Sequence, residues 1–255
     1  MPAIRLDHVK KSYGAIEAVT DLSLSVPEGG IYGLLGPNGA GKTTTMEILT
    51  GRLAPDAGTV RVLGIDPVAD PIAVRERVGI LPETESPPSF MTPREYFDFV
   101  GTVRGLDDAT VERRVDEWAD RLAFGEKLDT YNTDLSRGQQ QKVMIAAAFL
   151  HDPDAVFIDE PLSNLDPIMQ ERVKAALTAF ADDGGTILLS THNVDVAADI
   201  CTRVGIVYDG TLVTEVTPSE LAPDESLLDV FMDRVDVDRV ATRRMTSATE
   251  GTGSE

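Results

Sequence analysis

Gly36-Pro37-Asn38-Gly39-Ala40-Gly41-Lys42-Thr43, with Thr44 directly behind it, follows the pattern Gly, four residues, Gly-Lys-Thr. It lies between an apolar run, Ile31 to Leu35, and a segment whose pattern predicts a helix from Gly41 to about Leu53. A strand that turns through glycines into a helix aims several backbone N–H groups and the positive end of the helix dipole at one point, which makes an anion site. In such a loop the N–H groups wrap a β-phosphate, Lys42 reaches the β and γ oxygens, and Thr43 offers a hydroxyl to Mg²⁺. The match therefore predicts a nucleoside triphosphate and an α/β sheet together.

Reading outward from the loop, short β-patterned runs occur at Ile4 to Val9, Leu22 to Val26 and Thr59 to Leu63, with Gly, Pro and Asp between them. From Thr92 the pattern turns helical. Thr92-Pro93-Arg94-Glu95 has a capping hydroxyl, Pro at the first helical position and Glu three along. A second stretch, Ala109 to Ala123, carries Val111, Val115, Trp118, Ala119 and Leu122 on one stripe, which is read as core, and a third follows Ser136. After Pro153 strands and helices alternate: Ala155 to Ile158 β, Met169 to Ala181 α, Thr186 to Ser190 β, Val194 to Cys201 α and Val204 to Tyr208 β, with Asp209-Gly210 turning a hairpin into Leu212-Val213. The expectation is an α/β body over 1–84 and 152–235, a helical insertion over 85–151 and a polar, mobile tail over 236–255.

Two more runs end in chemistry. Ala155-Val156-Phe157-Ile158-Asp159-Glu160 is an apolar strand delivering two carboxylates to the carboxyl edge of a parallel sheet, where ligands bind. There Asp159 would hold Mg²⁺, through water, and Glu160 would polarise the attacking water. Thr186 to Ser190 is followed by Thr191-His192, which places an imidazole at the same edge as a γ-phosphate contact; His8 and His151 have no comparable placement.

Composition limits the partners. The 255 residues include 43 acidic and 23 basic side chains, a net charge of −20, which excludes a nucleic-acid binder held by a basic face. The longest apolar runs, such as Val143 to Leu150, are far too short to span a bilayer, and Met1 to Asp7 does not read as a signal peptide, so the expected compartment is the cytoplasm. The single cysteine, Cys201, excludes an intrachain disulfide. Of the charged residues, 26 are Asp, 17 Arg and only 6 Lys, the surface expected of a salt-adapted, halophilic protein. Molar salt shortens the screening length to about 3 Å and relieves self-repulsion. The melting temperature is accordingly expected to rise between dilute buffer and molar KCl; a flat profile would mark an ordinary acidic surface instead.

Leu135-Ser136-Arg137-Gly138-Gln139, just upstream of the Asp-Glu strand, resembles the signature of ATP-binding cassette (ABC) ATPases. The resemblance runs to about residue 235. The family's order of motifs is met by Tyr13 as the adenine-stacking aromatic, Gly36 to Thr44, the Leu81-Pro82-Glu83 region at the Gln loop, Leu135 to Gln139, Asp159-Glu160, Ser163-Asn164-Leu165-Asp166 and His192. It implies a P-loop NTPase (RecA-like) core with an N-terminal antiparallel β subdomain and an inserted α-helical subdomain. It also implies ATP and Mg²⁺ as ligands, Thr43, Asp159 and Glu83 at the metal, and Ser136, Gly138 and Gln139 as contacts to an ATP held by a second cassette. Ser136 independently reads as an N-cap whose hydroxyl and first-turn N–H groups make an anion site.

Two positions depart from the family pattern: Arg137 stands where Gly is commonest, and Glu83 where the loop usually has Gln, leaving Glu83 or its neighbour Glu85 as the metal contact. Phe90 and Met91, beside Pro87-Pro88, read either as a docking surface for a membrane subunit or as core. The implied function is the ATPase subunit of a transporter, a homodimer or heterodimer at the cytoplasmic face of the membrane that powers a separate permease. The stretches Leu81 to Leu106 and Leu227 to Phe231 look most like small exporters. A soluble cassette acting on DNA or the ribosome is the alternative, opposed by the acidic surface. A kinase or GTPase would leave Leu135 to Gln139 unexplained.

Overall fold

The computed structural model describes residues 2–84, 86–163 and 165–235. The tail from Asp236 and the alternative metal contact Glu85 fall outside the described residues. Strands β1 (Pro2–Tyr13), β2 (Ile16–Pro27), β3 (Gly30–Leu35), β4 (Ala57–Val62), β5 (Val78–Leu81), β6 (Ala155–Asp159), β7 (Thr186–Thr191), β8 (Arg203–Tyr208) and β9 (Thr211–Val216) form one sheet in the order β4-β1-β2-β9-β8-β3-β7-β6-β5. β1 pairs antiparallel with β2 and β4, whereas β5, β6, β7, β3 and β8 run parallel. A single parallel pairing, Asp21 with Thr211, joins the two regions. Asp209 (φ 49°) and Gly210 (φ 72°) turn β8 into β9 with the two left-handed residues that a tight hairpin of this twist requires.

The parallel strands are apolar on both faces because both are covered. Alternate side chains divide between two cores: Ile31, Leu35, Ile158 and Leu189 face the helices that follow β5, while Tyr32, Leu34, Phe157 and Leu188 face α1 (Lys42–Leu49) and the antiparallel strands. Helices α3 (Pro93–Val103), α4 (Asp108–Leu122) and α5 (Arg137–Phe149) fill the segment between β5 and β6. Thr92 and Glu95 form the predicted capping box, and Val111, Val115, Trp118, Ala119 and Leu122 are all buried. Trp118 of α4 stacks on Phe149 of α5 with ring centroids 4.8 Å apart, each large side chain contributing about 1.5–3 kcal/mol by burial. Helices α6 (Pro167–Asp182), α7 (Val194–Ile200) and α8 (Leu227–Arg234) complete the same layer.

Two local features differ from the sequence expectation. The first helix ends at Leu49 rather than near Leu53, because Thr50 Oγ1 donates to the carbonyls of Met46 (2.9 Å) and Glu47 (3.2 Å) and Gly51 (φ 66°) turns the chain away. Between β4 and the helical insertion lie a helix and a strand that the pattern did not reveal, α2 (Pro71–Arg77), capped by Asp70, and β5. β5 is a four-residue edge strand, too short to carry a periodic signal.

Candidate nucleotide site

The register of the parallel strands decides the site. Leu35 pairs with Thr191, and Asp159 with Ser190, so the loop after β3, the acids ending β6 and the His after β7 emerge at one sheet edge. A cleft of about 690 Å³ opens there, the size of a small-molecule site. Its lining includes Pro37 to Thr44, Glu83, Asp159 and Glu160, together with Ile16, Glu17 and Ala18 from the β1–β2 hairpin and Tyr208 and Asp209 from the β8–β9 turn.

One feature separates α1 from every other described α-helix. Helices α2 to α8 each begin with a side chain that accepts a first-turn N–H: Asp70, Thr92, Asp107, Ser136, Asp166, Asn193 and Ser226. α1 begins at Gly41 (φ 97°) with no side-chain cap, so its first-turn donors face the cleft unclaimed by any cap. Glycine is required there: a Cβ on Gly41 would stand 2.3 Å from the carbonyl oxygen of Ala18, and one on Gly36 2.3 Å from that of Val207.

Around this anion cradle the charges are arranged in layers. Lys42 is only 7% exposed and donates to the carbonyls of Gly36 (2.7 Å) and Pro37 (3.2 Å). Burial lowers its pKa, and the neighbouring Glu160, Asp159 and Glu83 carboxylates partly oppose that shift. Thr43 Oγ1 donates to Asp159 Oδ2 at 3.1 Å, which brings together two hard oxygen donors of the kind Mg²⁺ takes. Among the described residues no three His, Cys, Asp or Glu side chains converge to hold an ion alone, so a bound Mg²⁺ would complete its shell with oxygens from water or phosphate.

Glu160 is fixed from every side. Its backbone is left-handed (φ 49°), its N–H donates to Ser190 O (3.0 Å), and its carbonyl accepts from Ser163 Oγ (2.8 Å). Its carboxylate accepts from Thr191 Oγ1 (3.0 Å) and from the His192 N–H (2.8 Å), with His192 Nδ1 2.5 Å from Oε1. The other two histidines serve elsewhere: His8 pairs with Asp21 on the surface, and His151 is bonded to Val78 O, its pKa pushed down to about 4 chiefly by burial and secondarily by Arg104.

The sequence model of the family described as ABC transporter matches residues 19–163, more than half of the chain. The chain belongs to the ABC transporter family. This cassette is 38% identical over 230 residues to Nod factor export ATP-binding protein I of Paraburkholderia xenovorans, covering 90% of the chain and 75% of the relative. It is 36% identical over 219 residues to the daunorubicin/doxorubicin resistance ATP-binding protein DrrA of Streptomyces peucetius, covering 86% of the chain and 66% of the relative. A solved ATP binding subunit of an ABC transporter superposes with a TM-score of 0.79 at 29% identity, over 84% of this chain and 90% of that one. At 24% identity a dimeric post-hydrolysis cassette, MJ0796 bound to ADP and Pi, shares the fold with a TM-score of 0.78. The cassette is an ATP-binding ATPase subunit on a P-loop NTPase fold.

The other expected residues of the cassette fall outside this cleft. Tyr13 is 47% exposed at the end of β1 and does not line it, whereas its cross-strand partner Ile16, 68% exposed, does. Ser136 caps α5 in a capping box with Gln139, whose side chain accepts the Ser136 N–H at 2.8 Å; Gly138 lies in that first turn, and none of the three lines the cleft. Phe90 is 74% exposed, so it is not core. Ile16, Ala18, Asp209 and Thr191 carried no motif of their own: the first three reach the site on the β1–β2 and β8–β9 hairpins, which the pairing of Asp21 with Thr211 joins, and Thr191 through its pairing with Leu35.

Proposed function

We propose that this cassette binds MgATP in the cleft, closes on a second cassette to complete the site, and on hydrolysis drives an exporter through a separate membrane subunit. The observation that carries the reading is α1, alone among the described α-helices in lacking a side-chain cap, facing a buried lysine and two ordered carboxylates across the same cleft. The N–H groups of Gly36 to Thr44 hold the phosphates, and Ile16 and Tyr13, on the hairpin beside the cleft, offer apolar and aromatic surface to the base. Thr43 and Asp159 would hold a Mg²⁺ ion with Glu83 nearby, and the ion would supply charge neutralisation for the phosphates. Glu160, aimed by Thr191 and His192, orients and deprotonates water; His192 senses the γ-phosphate.

Ser136, Gly138 and Gln139 lie away from their own chain's cleft, which supports their serving the nucleotide of a partner cassette, whether a second copy or a relative. Loss of the γ-phosphate then removes the contacts that hold the pair closed, so the cycle alternates between closed and open forms. Export is supported by the names of the relatives, and attachment at the cytoplasmic face by the need for a permease: among the described residues no helix is long and apolar enough to cross a membrane.

Phe90, in the turn before α3, is the proposed permease contact, and a groove of about 180 Å³ lined by Tyr96, Phe99, Val100 and Met144 is a second apolar feature of the helical segment. An aromatic ring 74% exposed supports an anchoring role toward a partner helix. Replacing Phe90 with Asp is expected to reduce co-purification of the membrane subunit about tenfold or more with ATP binding unchanged. A complex of undiminished yield would remove Phe90 from the interface.

A further inference from the structure

The charge balance of the cleft is lopsided. Among the described residues its lining carries five carboxylates, Glu17, Glu83, Asp159, Glu160 and Asp209, against one cation, Lys42. Three of those carboxylates, Glu160, Asp159 and Glu83, are close enough to Lys42 to stabilise its charge, so the lysine is electrostatically committed before any phosphate arrives. Asp159 and Glu160 are each compensated by hydrogen bonds, from Thr43 and from Thr191 and His192. Glu83, in the bend after β5, finds no such donor among the described residues. Nor do the acids form a cage able to take up an ion in advance, among the described residues.

We propose that Glu83 restricts the cleft to the divalent-metal complex of the nucleotide and bars the metal-free triphosphate. This rests on the nucleotide reading above. A free triphosphate brings about four negative charges into a cleft whose only cation among the described residues is already shared, and buried charges are screened weakly by salt. The same triphosphate with a divalent ion brings about half that charge, and the Glu83 and Asp159 carboxylates that share the cleft would attract the ion. Glu83 thus acts as a gate on charge: repulsive to one form of the ligand, attractive to the other, and a neutral amide of the same shape would be neither.

The test measures binding of AMP-PNP, a nonhydrolysable ATP analogue, by calorimetry in excess Mg²⁺ and in EDTA, for the wild-type chain and for Glu83→Gln and Glu83→Asp. The wild type is expected to bind at least about 100-fold more tightly with Mg²⁺. Glu83→Gln should narrow that ratio about tenfold, equivalent to about 1.4 kcal/mol, through a gain in the EDTA arm, and Glu83→Asp should preserve it. An unchanged ratio in Glu83→Gln, or an equal loss in both arms, overturns the proposal while leaving the nucleotide reading standing. Absence of binding to the wild type in both arms would instead defeat the nucleotide reading itself.

Discussion

Replacing Glu160 with Gln is expected to lower ATP turnover about 10²–10⁴-fold while ATP still binds, and to leave an ATP-bound dimer that elutes early from a sizing column. The geometry explains why binding should survive. The carboxylate receives Thr191 Oγ1 on one oxygen and the His192 N–H on the other, so an amide can keep its oxygen toward His192 and donate its NH₂ to the Thr191 hydroxyl, which is able to accept as well. The backbone bonds to Ser190 and Ser163 do not involve the side chain. What the amide lacks is a lone pair basic enough to take a proton from water. Turnover near the wild-type rate would remove Glu160 from the role of base and return attention to His192.

The second large effect concerns the pairing of chains. Lys42→Ala and Ser136→Asp are each expected to be inactive as pure proteins, and mixing them under conditions of subunit exchange should restore about a quarter of wild-type turnover, since half of randomly formed pairs contain one intact composite site of two. Asp is chosen because it caps helices as well as Ser does, so α5 keeps its first turn while a carboxylate stands where phosphate must come. Lys42→Ala removes the only cation that the described residues bring to the cleft and leaves Glu160, Asp159 and Glu83 without it. Recovery requires Lys42 from one chain and Ser136 from the other. If no activity returns although the variants mix, two copies of this chain do not share a site across their interface.

The chemistry of this cassette was legible where it sits next to a strand end. Gly36 to Thr44, Asp159-Glu160 and His192 are contiguous motifs, each preceded by an apolar run, and the parallel register gathers them without any further information. The hidden contributors share a different origin. Ile16, Ala18 and Asp209 enter the cleft from hairpin turns whose position depends on the pairing of β2 with β9, a long-range contact that no local pattern encodes. Thr191 was visible only as the residue before His192, yet its hydroxyl holds Glu160. Burial was equally uneven: the stripe from Val111 to Leu122 declared itself by its spacing, whereas Phe90, an aromatic between prolines, could be assigned to surface or core only by the turn that carries it.

Glu160 also sets a limit on how this protein can be improved. A left-handed backbone costs a residue with a Cβ about 1–2 kcal/mol, a penalty glycine does not bear. The neighbouring bonds to Ser190 and Ser163 would hold a glycine in the same conformation. The most accessible gain in robustness at this strand end is therefore one that deletes the acid. Selection for heat tolerance alone, blind to whether fuel is consumed, would drift toward a sturdier scaffold with an idle engine.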